Sequence, residues 1–265
     1  MSLQETIVTE AIATEYFRKL QSSLHLDVAV IGAGPSGMTA AWRLAEAGCN
    51  IAVFERKLSI GGGMWGGGMT WNFIVVQQES RQTLEEAGLT LQEFRPGYYT
   101  VDAVAATTTL ASKAALAGTK FFTCISVEDV VLREIQGRKQ VTGIVINSSP
   151  VEMVGLHVDP LVLECKCLLE STGHDLEVLK TLVRKNDVRL DTPTGGLQGE
   201  QSMWAEVAEK TTVENTREIF PGVFVAGMAA NAAFGSFRMG PIFGGMFLSG
   251  EKAAQQIRKR LGHEL

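Results

Sequence analysis

The sequence predicts an α/β protein with a Rossmann-like dinucleotide-binding fold. Three observations support this prediction: a glycine-rich turn follows a short apolar strand, an acidic residue ends the next strand, and strand-like runs alternate with segments of helical periodicity. The chain has 265 residues, 45% of them hydrophobic, which is enough to bury one large core. We find no linker and no internal repeat, and therefore expect a single domain over residues 1–265.

The elements follow in order along the chain. We predict an amphipathic helix near 5–20 and a buried strand at 27–31, after which the glycine turn 32–37 opens a helix that continues to residue 47. Further helices are expected at 78–87, 105–117 and 242–260, and further strands at 50–54, 120–127, 140–146, 165–169 and within 220–227. We predict that the glycine run 61–69 forms a ligand-facing loop. For segment 187–204 we predict either a lid or an ordinary surface loop.

Composition and charge exclude several classes of partner. The net charge is −5 and no basic stripe is present that could neutralise a phosphate backbone, so we expect no nucleic-acid partner. Glu5, Glu10 and Glu15 replace the basic start of a signal peptide. The apolar run 239–248 is shorter than the roughly 20 residues that span a bilayer. We expect a cytoplasmic protein that binds small molecules and no membrane.

Gly32, Gly34 and Gly37 form a GxGxxG pattern in the place where a dinucleotide site requires it. The first glycine permits a tight turn, the second lets the backbone approach a pyrophosphate, and the third allows close packing of helix and strand. The phosphates would meet the positive end of the helix. Glu55 follows Gly37 by 18 residues, where a carboxylate can accept from ribose hydroxyls. The alternative is a glycine turn needed only for packing.

Two later segments resemble strand ends of the two-dinucleotide-binding flavoproteins. They are 168–173 (LLESTG) and 223–227 (VFVAG). The resemblance implies the fold of that group, with a parallel central sheet and here a small antiparallel β excursion at 120–146. Flavoenzymes of the group usually have an aspartate after the last motif, whereas this chain has Met228. This departure argues against FAD.

Two histidines lie where they could act in chemistry. His174 follows the strand end at Thr172-Gly173, the edge where open α/β sheets bind ligands. His157 and Asp159 share a face if their segment is extended. Imidazole and carboxylate suit Fe(II), but two ligands from one chain make a weak site that needs others from substrate, water or a neighbouring subunit. Taken alone, each histidine is more often a hydrogen-bonded structural residue.

The combined motifs resemble the thiamine thiazole synthase family over nearly the whole chain. They are GAGPSG, Glu55-Arg56, GGGMWGGGM, Ser126-Val127-Glu128-Asp129, GLHVDP, STGHD and Arg238-Met239-Gly240-Pro241. The resemblance implies that NAD is a substrate: nicotinamide is removed, the freed ADP-ribose is isomerised and condensed with glycine, and sulfur closes an adenylated thiazole carboxylate. It also implies a homo-octamer.

Position 157 indicates the branch of the family. Eukaryotic members take sulfur from their own cysteine at this position and turn over once, whereas this chain has His157. The resemblance is therefore to the archaeal-type branch, which uses sulfide and Fe(II) and turns over repeatedly, and it makes position 157 the catalytic one. By the same resemblance Asp159 and His174 would bind Fe(II), from different protomers.

The family pattern also implies the binding residues. Those for the nucleotide, besides the glycine turn, are Ser36, Glu55, Arg56, Gly63, Val127, His157, Val158, Asp159 and Met228. Arg238 would bind the glycine carboxylate, because a guanidinium fork matches a carboxylate bidentately. The alternative for Arg238 is a surface ion pair.

Two other functions stay open at this point. An FAD-dependent oxidoreductase is supported by the fold motifs and opposed by Met228 and by the short chain. A non-catalytic NAD or ADP-ribose binding module is opposed by His157, Asp159, His174 and Arg238, since holding a nucleotide needs neither a metal nor a carboxylate clamp.

Overall fold

A mainly parallel β-sheet forms the centre of the structure, a computed structural model that describes residues 2–263. The strands are β1 (His25–Ile31), β2 (Ile51–Glu55), β3 (Phe73–Gln77), β4 (Gln92–Arg95), β5 (Tyr98–Asp102), β6 (Lys120–Thr123), β7 (Ile125–Ile135), β8 (Arg138–Ser148), β9 (Leu161–Glu170), β10 (Gln201–Met203), β11 (Arg217–Phe220), β12 (Val223–Val225) and β13 (Phe237–Arg238). The helices are α1 (Glu5–Gln21), α2 (Pro35–Glu46), α3 (Gln78–Ala87), α4 (Ala103–Leu116), α5 (Ser149–Met153), α6 (Glu177–Lys185), α7 (Ala205–Asn215), α8 (Met228–Phe234) and α9 (Gly244–Leu261). Short 3₁₀ turns lie at Gly62–Gly66 and Gly173–Asp175.

Five parallel strands in the order β12-β9-β1-β2-β6 form the middle of the main sheet. β11 pairs antiparallel with β12 at one edge. The antiparallel hairpin β7–β8 joins through β8, which pairs with the first half of β9. The α/β class with a parallel central sheet is confirmed, and the hairpin is the predicted antiparallel excursion. A separate antiparallel sheet of order β3-β5-β4 was not predicted.

Helices cover both faces of the main sheet, so its central strands are apolar on both sides. Along β1, Val28 and Val30 pack in one hydrophobic cluster with α2, α4 and α9. Ala29 and Ile31 pack in another with α6 and α8. This alternation is the period-two rule for strand side chains. It gives a three-layer protein whose five parallel strands point their carboxyl ends toward one edge.

The predicted elements agree with the structure except in a few places. Predicted strand 120–127 is two strands, because Cys124 adopts a left-handed backbone with φ 58° between β6 and β7. Helices α5, α6, α7 and α8 and the short strands β10, β11 and β13 were not predicted. The apolar side chains of α1 are exposed, so its predicted amphipathic pattern does not build this chain's core. Within residues 2–263 no helix is both long and apolar enough to cross a membrane.

Candidate active site

A cavity of about 1030 Å³ lies at the carboxyl ends of the parallel strands. Its wall includes residues that end or follow four of these strands: Gly32, Glu55, Ser171 and Met228. Open α/β sheets bind their ligands at this edge. The volume lies at the upper end of the roughly 300–1,000 Å³ that is usual for small-molecule sites.

The glycine turn forms one wall of the cavity. Gly32 has φ 95°, and a Cβ there would lie 2.6 Å from the carbonyl oxygen of Ser171. A Cβ at Gly37 would lie 2.2 Å from the carbonyl oxygen of Gly32, so this buried glycine permits close packing and does not line the cavity. A Cβ at Gly34 would meet no atom within 4 Å. Open space therefore remains at the start of α2, where a phosphate can approach the helix.

Glu55 ends β2 with its carboxylate against the glycine turn. Its side chain is buried, with 8% of the residue exposed. Oε2 accepts a hydrogen bond from the backbone N–H of Ala33 at 2.9 Å, and Oε1 accepts from that of Lys57 at 2.9 Å. Each carboxylate oxygen can accept a second hydrogen bond, so this fixed carboxylate can still bind a hydroxyl of a ligand.

Arg56 lies at the mouth of the cavity and pairs with two acidic side chains. Its Nη2 is 3.1 Å from Oδ2 of Asp175, and its Nη1 contacts Oε1 of Glu177. Burial raises the pKa of Glu177, while the charge of Arg56 opposes this rise. The three charges join the end of β2 to the turn that follows β9.

His174 lies on that turn and lines the cavity. Its Nδ1 contacts Oε2 of Glu200, and Glu200 also lines the cavity. Glu200 was not predicted from the sequence, because it lies 26 residues from His174, directly before β10, and belongs to no motif. Only the path of the chain in three dimensions reveals the pair.

Glu170 fixes the turn that carries His174. Its carboxylate is fully buried. Oε1 accepts from the backbone N–H and the hydroxyl of Thr172 at 3.0 and 2.6 Å, and Oε2 accepts from the N–H groups of Val178 and Leu179 at 2.8 and 3.2 Å. Burial raises the pKa of Glu170 and these hydrogen bonds oppose the rise. The motif LLESTG contained this residue, but its strand position gave no sign that the side chain caps α6.

Arg238 lies on β13 at the other side of the cavity and is exposed. Among residues 2–263 no carboxylate forms an ion pair with it, so the alternative of a surface ion pair is not seen. β13 pairs with β10, with Met203 opposite Arg238. Arg238 thus lines a ligand-sized cavity, and within residues 2–263 its guanidinium forms neither an ion pair nor a side-chain hydrogen bond.

Four other predicted nucleotide residues also line the cavity. They are Ser36, Gly63, Val127 and Met228. Ser36 and Met228 begin the helices α2 and α8 close to the strand ends, and Val127 belongs to β7. One cavity is therefore lined by predicted residues from the glycine turn, from the β7–β8 hairpin, and from the positions that end or follow β2, β9 and β12.

His157, Val158 and Asp159 do not line the cavity. They are exposed on the irregular segment between α5 and β9, where the Nδ2 of Asn147 donates to the carbonyl oxygen of Val158 at 3.0 Å. Across the described part of the chain no group of three or more His, Cys, Asp or Glu side chains could hold a metal ion. One chain does not bring Asp159 to the cavity that contains His174.

Comparison with known proteins identifies the family. Residues 9–243 match the model of the Thi4 family. The thiamine thiazole synthase of Solidesulfovibrio magneticus is 67% identical over 98% of this chain and 99% of its own, and that of Pyrococcus horikoshii is 54% identical with the same coverage. The crystal structure of Thermovibrio ammonificans THI4 has a TM-score of 0.97 at 51% identity and covers 98% of this chain and 100% of its own. The chain therefore belongs to the Thi4 family, the family of the thiamine thiazole synthases.

Proposed function

We propose that the chain joins NAD, glycine and sulfide into an ADP-thiazole carboxylate, the thiazole precursor of thiamine, in an Fe(II)-dependent reaction with multiple turnovers. Because atoms of glycine and sulfide are transferred to the ADP-ribose skeleton, the enzyme is of the transferase type. The supporting observation is that the glycine turn, Glu55, His174 and Arg238 line one cavity. The four free cysteines are consistent with a reducing, cytoplasmic location.

The nucleotide would bind along the wall formed by the glycine turn. Backbone N–H groups at the start of α2 can donate to the pyrophosphate, with Ser36 beside them. Glu55 accepts from Ala33 and Lys57, which fixes its carboxylate for ribose hydroxyls. Removal of nicotinamide would follow while these contacts keep the ADP-ribose in place.

Arg238 would bind the carboxylate of glycine. An unpaired guanidinium at a cavity wall suits a carboxylate because two parallel N–H donors match its two oxygens. This contact would present the amino group of glycine to the ADP-ribose carbonyl and raise its effective concentration.

The donor set fits Fe(II), since the imidazole of His174 and the carboxylate of Asp159 are both accepted ligands for it. Fe(II) bound there would act as a Lewis acid that lowers the proton affinity of sulfide. We propose that Asp159 comes from a neighbouring protomer of a homo-octamer. In support, segment 153–162 exposes Met153 (83%), Leu156 (62%) and Leu161 (61%), an apolar surface of the kind that another subunit covers.

Sulfide would come from solution and not from the protein. His157 has no sulfur to donate. None of the four cysteines lines the cavity, and burial raises the pKa of the Cys165 and Cys167 thiols to about 12, so these two are poor sulfur nucleophiles.

Anaerobic incubation with Fe(II), NAD, glycine and sulfide tests the proposal, with product mass and turnover number as readouts. We expect more than one thiazole product per chain, and much less with Mg²⁺ alone. One product per chain or fewer would contradict multiple turnover. NAD returned intact would favour a binding module, and absorbance near 450 nm in the isolated protein would favour a flavoenzyme.

A further inference from the structure

We propose that Glu200 is a positioning residue for His174. Its carboxylate accepts a hydrogen bond from Nδ1–H and leaves Nε2 as the nitrogen that binds the metal. This inference rests on the proposed Fe(II) site and names a residue that holds the imidazole in place for it.

The contact itself supports this role. Oε2 of Glu200 meets Nδ1 of His174, and both residues line the cavity. Within residues 2–263 no protein group forms a hydrogen bond with Nε2 of His174. A neutral imidazole carries one proton, so a carboxylate at Nδ1 selects the form whose Nε2 lone pair is free for a metal. Histidines that bind metals usually have such a partner on their other nitrogen.

The backbone around Glu200 is held on the strand that carries Arg238. The N–H of Gln201 donates to the carbonyl oxygen of Ser236 at 2.8 Å, and that of Trp204 donates to the carbonyl oxygen of Arg238 at 3.0 Å. The Nε2 of Gln201 also donates to the carbonyl oxygen of Gly235 at 2.6 Å. These bonds give Glu200 a defined position. The residue that we propose to orient His174 is therefore held by the same stretch of backbone as Arg238, the residue that we propose to bind glycine.

Two other roles for Glu200 give different expectations. An exposed ion pair would contribute little to the free energy of unfolding. The Glu200 side chain, however, is only 25% exposed and lies on the cavity wall. A direct ligand would have to reach the metal with the same carboxylate. Because Nδ1 and Nε2 point to opposite edges of the imidazole ring, a carboxylate at Nδ1 lies away from a metal at Nε2.

Anaerobic metal titration of the full-length assembly tests the proposal, with Fe(II) for affinity and Co(II) for the visible ligand-field spectrum. We expect Glu200→Ala to weaken binding of both metals about 10- to 100-fold, the usual cost of losing such a partner. Glu200→Gln keeps an oxygen that accepts from Nδ1–H, so its affinity should lie near that of the unmodified protein. The Co(II) spectrum should be the same in all, since no ligand changes.

Glu206→Gln is the matched control, since this exposed glutamate lies on α7 outside the cavity lining. ADP-ribose affinity, measured by calorimetry, should be unchanged in every variant. Metal affinity unchanged in Glu200→Ala would overturn the role of Glu200 while leaving the proposed function intact. A changed Co(II) spectrum in Glu200→Gln would make Glu200 a ligand and contradict the positioning role. If the unmodified protein binds ADP-ribose but neither metal, the iron-dependent function itself fails.

Discussion

The cavity wall and segment 153–162 differ in how the chain holds their polar groups. In the wall, the carboxylate of Glu55 is buried and accepts hydrogen bonds from two backbone N–H groups. Directly before the wall residue Ser171, the carboxylate of Glu170 is also buried and accepts from backbone N–H groups of the following turn and of α6. On the segment, His157 and Asp159 are exposed among exposed apolar side chains. The wall is built by one chain alone, whereas we propose that the segment acquires its function against another copy.

The physical reason for this difference lies in the sheet. Parallel strands bring their carboxyl ends to one edge, so side chains that are distant in sequence meet there without further contacts. Residues 154–160, between α5 and β9, lie outside the sheet and have no such constraint, so their position in an assembly depends on what covers them. The proposed glycine residue Arg238 and most of the proposed nucleotide residues therefore line one cavity of a single chain. Residues 157–159, which include the proposed iron ligand Asp159, do not reach it.

The largest expected effect concerns Arg238, which lies in the cavity wall that one chain builds alone. Arg238→Ala removes the proposed partner of the glycine carboxylate, and we expect kcat/KM for glycine to fall about 1,000-fold, or about 4 kcal/mol. Affinity for NAD should not change. Steady-state kinetics and calorimetry measure the two quantities, and Arg133→Ala on the β7–β8 hairpin is the control. An equal loss of NAD affinity would show that Arg238 does not act on glycine.

Glu209, a buried residue of α7 that contacts the start of α9, makes the free energy of unfolding depend on pH. Burial raises the pKa of Glu209 to about 7 from 4.5, although its Oε2 accepts from the N–H of Gly245 at 2.7 Å. Between these pH values the native state keeps a proton that the unfolded chain has lost, so the free energy of unfolding falls as pH rises through this window. The difference of pKa values corresponds to about 3 kcal/mol.

Glu209→Gln removes this titration. We expect the variant to exceed the unmodified protein in free energy of unfolding at pH 8 by up to about 3 kcal/mol, and to match it near pH 4.5. Urea denaturation over this range measures the difference, with Glu206→Gln as the exposed control. A parallel pH dependence in Glu209→Gln and the unmodified protein would contradict the assignment to Glu209.

Glu55 and Asp159 allow a direct comparison of the two regions. Glu55→Ala leaves the buried N–H of Ala33 and the partly buried N–H of Lys57 without their acceptor, which should lower the free energy of unfolding by about 1–3 kcal/mol. Asp159→Ala should change it by less than about 0.5 kcal/mol, because the side chain is exposed. Equal effects in denaturant unfolding would mean that the two regions do not differ as described.

The smallest effect on chain stability is expected for Leu156→Ser. The side chain is exposed, so the free energy of unfolding of one chain should change by less than about 0.5 kcal/mol. Its effect should instead appear in assembly, as a lower molar mass by light scattering. Unchanged mass and unchanged activity would show that Leu156 lies outside any subunit interface.

The sequence predicted the parts of the site that follow local rules. Gly32, Gly37 and Glu55 have a spacing that a strand, a tight turn and a helix require, and they lie where that spacing indicated. Glu200 could not be found, because its meeting with His174 depends on the path of an irregular segment. The strand β4 was missed since its four residues are all exposed and show no apolar alternation.

Mixing two inactive variants tests the shared iron site most directly. Asp159→Ala and His174→Ala should each lose activity, and co-expression at equal levels should restore it, because mixed assemblies contain sites with both ligands intact. Random mixing of two protomers predicts about one quarter of the activity of the unmodified protein. Mixed assemblies that form but stay inactive would contradict a site built from Asp159 of one protomer and His174 of another.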